Sequence, residues 1–588
     1  MLLRLGKHDI LRLPSMFRRA QWRLPFLLLA FGRLAPGQDT PRNKAGSEGA
    51  YAGSKACSGC HPAIAANYRK TGMGRSIAMA SSPAEIDKIP AAVTIRNEKM
   101  NRYFSVYRDG GAIFQSEYEL DSSGGEVFRT TEKLEYAVGS GVNGTTYLVR
   151  RGDALFEAPL SYYSKVRGWA LSPGYEQEDA GFSRPIPAGC LSCHSGRPQP
   201  VPNRPGVYRN PPFQELAIGC ESCHGPGQLH VDRHSNKKAD HSIVNPAKLS
   251  PWLADNICMN CHQGTAMRVL QPGKSYADFR PGTSLDETVA IFEPPLQPGA
   301  TISPLLEHYS MMTLSKCYRA SEKRMSCLSC HDPHVQPGVE RAAYFRKKCL
   351  SCHTEASCKL PVGGKRDDCA GCHMPKQNVA QIAHSVLTNH RIVSREDQPL
   401  PQEAFQRTTE DLPDIVHLNA VPGRKDKIPP LTLLRAYAEL APSGPLYQRR
   451  YRETLEEVAK THPNEPTVLS ALGWLAAGKN TPESDTAAMD YLSRAIRNGS
   501  LLAIDFEKRA ELLNRAGRPG EAILVLQQGI GVDPYYQRSY KALTLLFVSQ
   551  KRYQEALQVM RQELAIFPQD SFMRTLLKQG ESATPPSP

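Results

Sequence analysis

The chain has 588 residues, 40% hydrophobic and 22% charged, which is too long for one ordinary core and implies two or three domains. Its formal charge of +14 would point towards nucleic acid or an anionic surface. Seven of the basic side chains (Arg4, Lys7, Arg12, Arg18, Arg19, Arg23, Arg33) fall in residues 1–37 against Asp9 alone, so removing that segment takes six charges with it.

In chain order, a basic stretch ending at Arg23 precedes an apolar run from Leu24 to Phe31, then Arg33 and the small-residue stretch Ala35-Pro36-Gly37. This reads as a signal peptide over 1–37, with Met16 as an alternative start. The apolar run is too short to span a bilayer, and no later stretch is long and apolar enough. An exported protein is expected, periplasmic or otherwise extracytoplasmic, with no transmembrane segment in the mature chain. Residues 38–52 form a polar linker.

Seven Cys-x-x-Cys-His motifs follow: Cys57/Cys60/His61, Cys190/Cys193/His194, Cys220/Cys223/His224, Cys258/Cys261/His262, Cys327/Cys330/His331, Cys349/Cys352/His353 and Cys369/Cys372/His373. This spacing is the attachment signature of c-type haem: two thiols for the two vinyl groups, and an adjacent imidazole as proximal ligand. Zinc sites and disulfide frameworks do not require a His after every second Cys. The expectation is therefore seven covalently attached haem c groups, with the seven motif histidines as proximal metal ligands. About fourteen propionates would absorb much of the basic excess, and nucleic-acid binding is rejected. Cys317 and Cys358 lie outside the motifs, as a disulfide or as thiols.

The motif-bearing region is read as 53–395. Within it, 91–165 has a different texture: Val93–Ile95, Tyr103–Tyr107, Ala112–Gln115 and Tyr147–Val149 are β-branched and aromatic, punctuated by glycine pairs. A small β-rich insertion covering one end of the haem stack is expected. From Cys190 to His373 six motifs share 184 residues. Little conventional core is expected there, only short helices and loops around stacked haems.

Residues 396–428, rich in Pro and charge, read as a linker. Beyond it, Ala488, Ala522 and Ala556 recur every 34 residues, as do Pro534 and Pro568. That is the tetratricopeptide period. An all-α solenoid over 429–580 is expected, with repeats at 501–534 and 535–568, a preceding repeat degraded by an insertion around Gly478 to Ser484, and a further hairpin in Leu431–His462.

What fills the second face of each iron decides between electron transfer and reaction. Setting aside the motif histidines, His8 in the leader and His462 in the repeats, eight imidazoles remain. His230, His308, His334, His384 and His390 are the candidate distal ligands, with Met73, His234 and His241 as weaker candidates; His417 ranks last.

Three phrases carry a resemblance: Cys220-Glu-Ser-Cys-His-Gly-Pro-Gly…His230, Cys327-Leu-Ser-Cys-His-Asp-Pro-His334, and Cys369-Ala-Gly-Cys-His-Met-Pro followed by His384…His390. They resemble the multihaem cytochrome c superfamily of tetrahaem carriers, nitrite reductases and hydroxylamine oxidoreductases, here joined to tetratricopeptide repeats. No Cys-x-x-Cys-Lys occurs and only seven motifs are present, so those enzymatic activities do not carry over. The resemblance implies an electron-transferring cytochrome whose solenoid docks a redox partner protein. The alternative is a multihaem oxidoreductase acting on a small nitrogen or sulfur oxyanion at one open iron; catalytic residues are not assigned.

Overall fold

The computed structural model describes residues 49–583 apart from 90, 177–179, 237–241, 264–266, 300–306, 360–366, 379–385, 396 and 424–426. The expected signal peptide, most of the 38–52 linker, His241 and His384 lie outside the described residues.

A curved antiparallel sheet of ten strands occupies 77–185: β1 Ile77–Met79, β2 Val93–Asn97, β3 Arg102–Asp109, β4 Ala112–Leu120, β5 Glu126–Val138, β6 Gly144–Arg151, β7 Ala154–Glu157, β8 Leu160–Tyr163, β9 Gly168–Leu171 and β10 Arg184–Pro185. Its main path runs β10-β7-β6-β5-β4-β3-β2, with β1 on β5 and the β8–β9 hairpin on β6. The thirteen-residue β5 is the hinge of the sheet: its first half pairs with β4, its second with β6 and β1, and bulges sit at Glu119/Leu120 and Leu134/Tyr136. Bulges bend and twist a strand, so one strand serves two directions. At the end of β5 the chain turns through Gly139, whose φ is 123° and where a Cβ would stand 2.6 Å from the Gly144 carbonyl oxygen. Only glycine fits there. The concave face buries Phe104, Val106, Ile113, Leu134, Val149 and Phe156 around Tyr147, on which Trp169 stacks at 5.0 Å.

The insertion is thus not small. The expectation of a modest β cap over 91–165 is corrected by strands that begin before it and end after it. β5 escapes a pattern search because its first half, Glu126-Val-Phe-Arg-Thr-Thr-Glu-Lys, is mostly solvent-facing and carries no apolar alternation.

Between 186 and 395 the motifs occupy short helices: Ser54–Cys60 before the sheet, then Ala188–His194, Glu221–His224, Pro251–His262, Cys327–Cys330, Arg341–Cys349 and Cys369–His373. Each motif closes one helical turn; the N–H of His61, His224, His331 and His353 donates to the carbonyl of the first Cys at 2.9–3.1 Å. A conventional core does exist here, contrary to expectation. Ile257, Met259, Phe279, Leu285, Val289, Ile291, Tyr309 and Met312 pack with Val416 and Leu418. Part of the expected 396–428 linker is packed rather than loose: Val416–His417 adds to strand Val289–Glu293, and the buried Asn419 side chain accepts from Ile291 N and donates to Val289 O.

Among the described residues, nine helices then form a tetratricopeptide-like solenoid: Pro430–Leu440, Pro445–Thr461, Pro466–Ala477, Pro482–Arg497, Ala503–Arg515, Pro519–Val532, Gln537–Ser549, Tyr553–Ile566 and Ser571–Ala583. Ala488, Ala522 and Ala556 are buried at the helix contacts, where nothing larger fits. Gly473 allows the closest approach; a Cβ there would meet Leu492 at 2.7 Å. The irregularity of the first repeat lies elsewhere than expected. The two helices of a hairpin start 16 residues apart at 466/482, 503/519 and 537/553 alike. The extra residues follow the hairpin turn rather than lying at 478–484: helix Pro482–Arg497 has 16 residues against 14 in Pro519–Val532 and Tyr553–Ile566, and the loop 498–502 is longer than 533–536 and 567–570.

Both ends of the solenoid are fastened. Thr432 Oγ1 donates to Gln271 Oε1 at 2.7 Å near its start. Near its end, Arg102 donates to the Gln569 carbonyl at 2.9 Å, Arg574 pairs with Glu119 at 2.8 Å, and Tyr535 packs edge-on to Phe156 at 4.5 Å.

Candidate functional site

One cavity of about 3440 Å³ runs through the motif-bearing region. Its wall carries residues of motifs two to seven, among them Cys190, Cys193, His194, Cys223, Cys258, Cys261, His262, Cys327, Cys330, His331, Cys349, Cys352, His353, Cys369 and His373. His308 and His390 join them, Met73 stands on a single turn at the edge, and the solenoid residues Thr467 and 498–502 close one side.

The cavity is not lined by every motif thiol. Cys57, Cys60, Cys220 and Cys372 are not part of the cavity wall, and Cys60 and Cys372 are exposed. In the last motif Cys369 and His373 stand four apart on one turn and face the cavity. Cys372 precedes His373 by one residue, which is about 100° round the helix, and so it faces solvent.

Histidines far apart in sequence meet across short gaps. His61 and His230 lie parallel, ring centroids 6.4 Å apart and planes 11° apart. His224 and His334 stack at 6.0 Å and 19°. His331 faces His390 at 6.2 Å, and His262 faces His308 at 5.4 Å. The last two pairs touch, since His308 and His390 are 4.0 Å apart. His234 lies one helical turn from His230, at 6.3 Å. Four of the five stronger distal candidates are thus brought to a motif histidine, and the fifth, His384, is outside the described residues. His417 is instead hydrogen-bonded to Asp286 at 2.8 Å.

Backbone carbonyls orient two of the motif rings. His224 Nδ1 donates to Val244 O at 2.7 Å and His373 Nδ1 to Val393 O at 2.6 Å. Protonation at Nδ1 leaves the Nε2 lone pair free to point away from the backbone as a ligand. Withdrawal from water and the crowding of His390, His262 and His331 push His308 down to about 2; withdrawal from water and His331 push His390 down to about 4. Both rings are therefore neutral, with lone pairs available, throughout the physiological range.

The thiols also meet between motifs. A hydrogen bond from Cys57 lowers Cys220 to about 6, and one from Cys261 lowers Cys193 to about 6. Cys327 is raised by its hydrogen bond with Cys258. Motifs one and three, two and four, and four and five are neighbours in space. Cys317 and Cys358 are free thiols.

The expectation of seven covalently attached haem c groups is corrected. Among the described residues no group of three or more His, Cys, Asp or Glu side chains forms a cluster that could hold a metal ion. What assembles is smaller: imidazoles gathered two at a time, because each motif is a single helical turn and presents one ring to its neighbour.

No family model and no curated relative matches the chain. Solved structures similar to it include MamA (20% identity, 24% of this chain and 80% of that one, TM-score 0.21). TTC0263, a thermophilic tetratricopeptide protein of Thermus thermophilus, matches at 18% identity over 26% of this chain and 82% of that one, TM-score 0.22. YrrB, described as a tetratricopeptide protein with an unusual peptide-binding site, matches at 14% identity over 26% and 77%, TM-score 0.23. At such scores these likenesses carry no argument; the helix lengths, the 34-residue spacing and the buried alanines establish the repeat. Among the described residues no helix is long and apolar enough to cross a membrane.

Proposed function

We propose that the chain is an exported electron-transfer protein whose redox sites are built on its Cys-x-x-Cys-His motifs and whose solenoid docks a partner protein. The observation that carries this reading is the set of facing imidazoles. The rings of His61/His230, His224/His334 and His331/His390 face each other with centroids 6.0–6.4 Å apart, and those of His262/His308 at 5.4 Å. In each pair one ring comes from a motif and the other from outside every motif.

In this reading the paired rings would flank a redox group, an arrangement that suits electron passage rather than substrate binding. The cavity holds the His262/His308 and His331/His390 pairs, and the contact of His308 with His390 joins them. The phrases that resemble those of electron carriers support the same class of activity. On the solenoid, exposed Leu524, Leu545, Tyr553 and Phe572 offer apolar surface to a redox partner.

The test is a stepwise reductive titration of the purified exported protein, followed by optical and electron paramagnetic resonance spectra, which also identify the redox group. Several reversible one-electron steps are expected, at least one of which His334→Ala shifts. A protein that takes up no electrons reversibly overturns the reading.

A second reading has one observation in its favour. His194 opens onto the cavity, and the imidazole that senses its charge is another motif histidine, His262. A site there with a free position would act on a small nitrogen or sulfur oxyanion. A high-spin signal that shifts on adding nitrite, hydroxylamine or sulfite would put this reading first.

A further inference from the structure

Two acidic side chains are buried between motifs rather than at the surface. Glu221, the second residue of the third motif, is 3% exposed. Its Oε1 accepts from the amides of Ala52 at 2.8 Å and Gly227 at 2.7 Å, its Oε2 from Gly53 at 2.8 Å, and the Arg197 guanidinium stands 3.9 Å away. Gly53 is the N-cap of helix Ser54–Cys60, which has no side-chain cap of its own. The cap of the first motif's helix is therefore supplied from the third motif, 168 residues further along. Glu215 reinforces it: its Oε2 accepts from Ser54 Oγ at 2.8 Å, and that hydroxyl in turn accepts from Cys220 N at 3.0 Å.

The same device recurs independently. Asp255, 2% exposed and one turn ahead of Cys258 in the fourth motif, accepts from the amide of Cys327 at 2.9 Å. Cys327 is the first residue of the fifth motif's helix. A carboxylate at a helix start satisfies amides that have no partner inside the helix and complements the dipole there. Both acids do this for a helix other than their own. An acid needed only for solubility would lie outside; one needed only to cap its own turn would not reach across.

We infer that Glu221 and Asp255 are positioning residues that lock motif one onto motif three and motif five onto motif four, setting the distance and orientation between neighbouring redox sites. This rests on the electron-transfer reading. Because electron transfer depends steeply on separation and each site's potential on its surroundings, a buried carboxylate between two motifs influences both.

The experiment compares Glu221→Gln and Asp255→Asn with the unaltered full-length exported protein, using Glu521→Gln on the exposed solenoid surface as control. Amide exchange reads the clamps directly. Faster exchange is expected at Ala52 and Gly53 in the first variant and at Cys327 in the second. The stepwise titration reads their consequence: a shift confined to one or two steps, with the others and the control unchanged. Unchanged exchange at these amides overturns the inference, as does a titration identical to the unaltered protein's or shifted equally at every step. If the unaltered protein shows no steps, the electron-transfer reading fails, and the exchange data separately decide whether the clamps exist. Should Glu221→Gln fail to accumulate, Asp255→Asn, which alters one bond rather than three, carries the test.

Discussion

At the scale of single residues, buried carboxylates are met by donors to different degrees. Glu221 accepts from three amides and Asp255 from one. Glu563, fully buried on helix Tyr553–Ile566, has one oxygen bonded to Gln537 at 2.8 Å and the other without a partner. Burial is the main cause that raises it from 4.5 to about 8, and Asp570 adds to it. The folded protein therefore holds a proton on Glu563 between about pH 4.5 and 8 that the unfolded chain has released. Stability from this group is full below the unfolded value and falls as pH rises through that window. Glu563→Gln is expected to flatten this slope and to melt higher than the unaltered protein at pH 8; melting temperatures from pH 4.5 to 8.5 check it. Asp505 shows the satisfied case, accepting from Ser470, Ser500 and Trp474 at 2.7–3.0 Å. Asp505→Ala is expected to cost about 3 kcal/mol, since three donors lose their acceptor; chemical denaturation followed on the solenoid measures it.

At the scale of elements, a motif is one helical turn, and its chemistry depends on what faces it. The facing imidazoles come from segments with no periodic signal: His230 on helix Gln228–Ser235, His334 in a turn after motif five, His308 at the start of helix His308–Thr313, and His390 after strand Val386–Thr388. In the solenoid the element that departs from the repeat is the loop 498–502. It lies against the cavity, while the connections of the following repeats, 533–536 and 567–570, three residues shorter from helix start to helix start, do not. Replacing it with the shorter connection of the following repeat is expected to leave the helical circular dichroism intact and to increase solvent access to the cavity, read as faster alkylation of Cys327. The small-residue positions are less forgiving. Ala522→Leu inserts three carbons into a closed helix contact and is expected to cost about 1–3 kcal/mol, again read by denaturant melts.

At the scale of the whole molecule, sheet and solenoid are joined through charge held out of water. Arg102, nearly buried, lies 2.7 Å from Glu119, which also receives Arg574, and the two guanidinium groups sit over the Phe128 ring at 5.0 and 4.7 Å. Glu117, 1% exposed, lies 3.6 Å from the same Arg102. Removing the arginine strands buried carboxylates, and Arg102→Ala is expected to cost about 3–5 kcal/mol. Its signature is loss of exchange protection first in helix Ser571–Ala583 and in β3–β4, where the seam runs. Fastened at both ends, the solenoid is a wall of the cavity.

Much of this was legible in the primary structure where the chemistry is local. Cys and His at fixed spacing define the seven motifs without reference to any fold. The 34-residue recurrence of alanine defines the helical repeat, because a small side chain is needed wherever two helices cross closely. What only the tertiary structure decided depends on contacts between distant segments. The sheet is larger than its apolar pattern implies, since half of β5 faces solvent and is held by ladder hydrogen bonds rather than by burial. Spacing treats all fourteen motif thiols alike, whereas the fold lines the cavity with Cys369 and leaves Cys372 in solvent. The gathering of motif histidines two at a time, His61 with His230 or His331 with His390, is invisible to spacing, and so is the correction it brings to the expected cofactor set. The roles of Glu221 and Asp255 were hidden for the same reason. An acid inside or beside a motif reads as an ordinary variable residue until the fold brings another helix's unpaired amides to it.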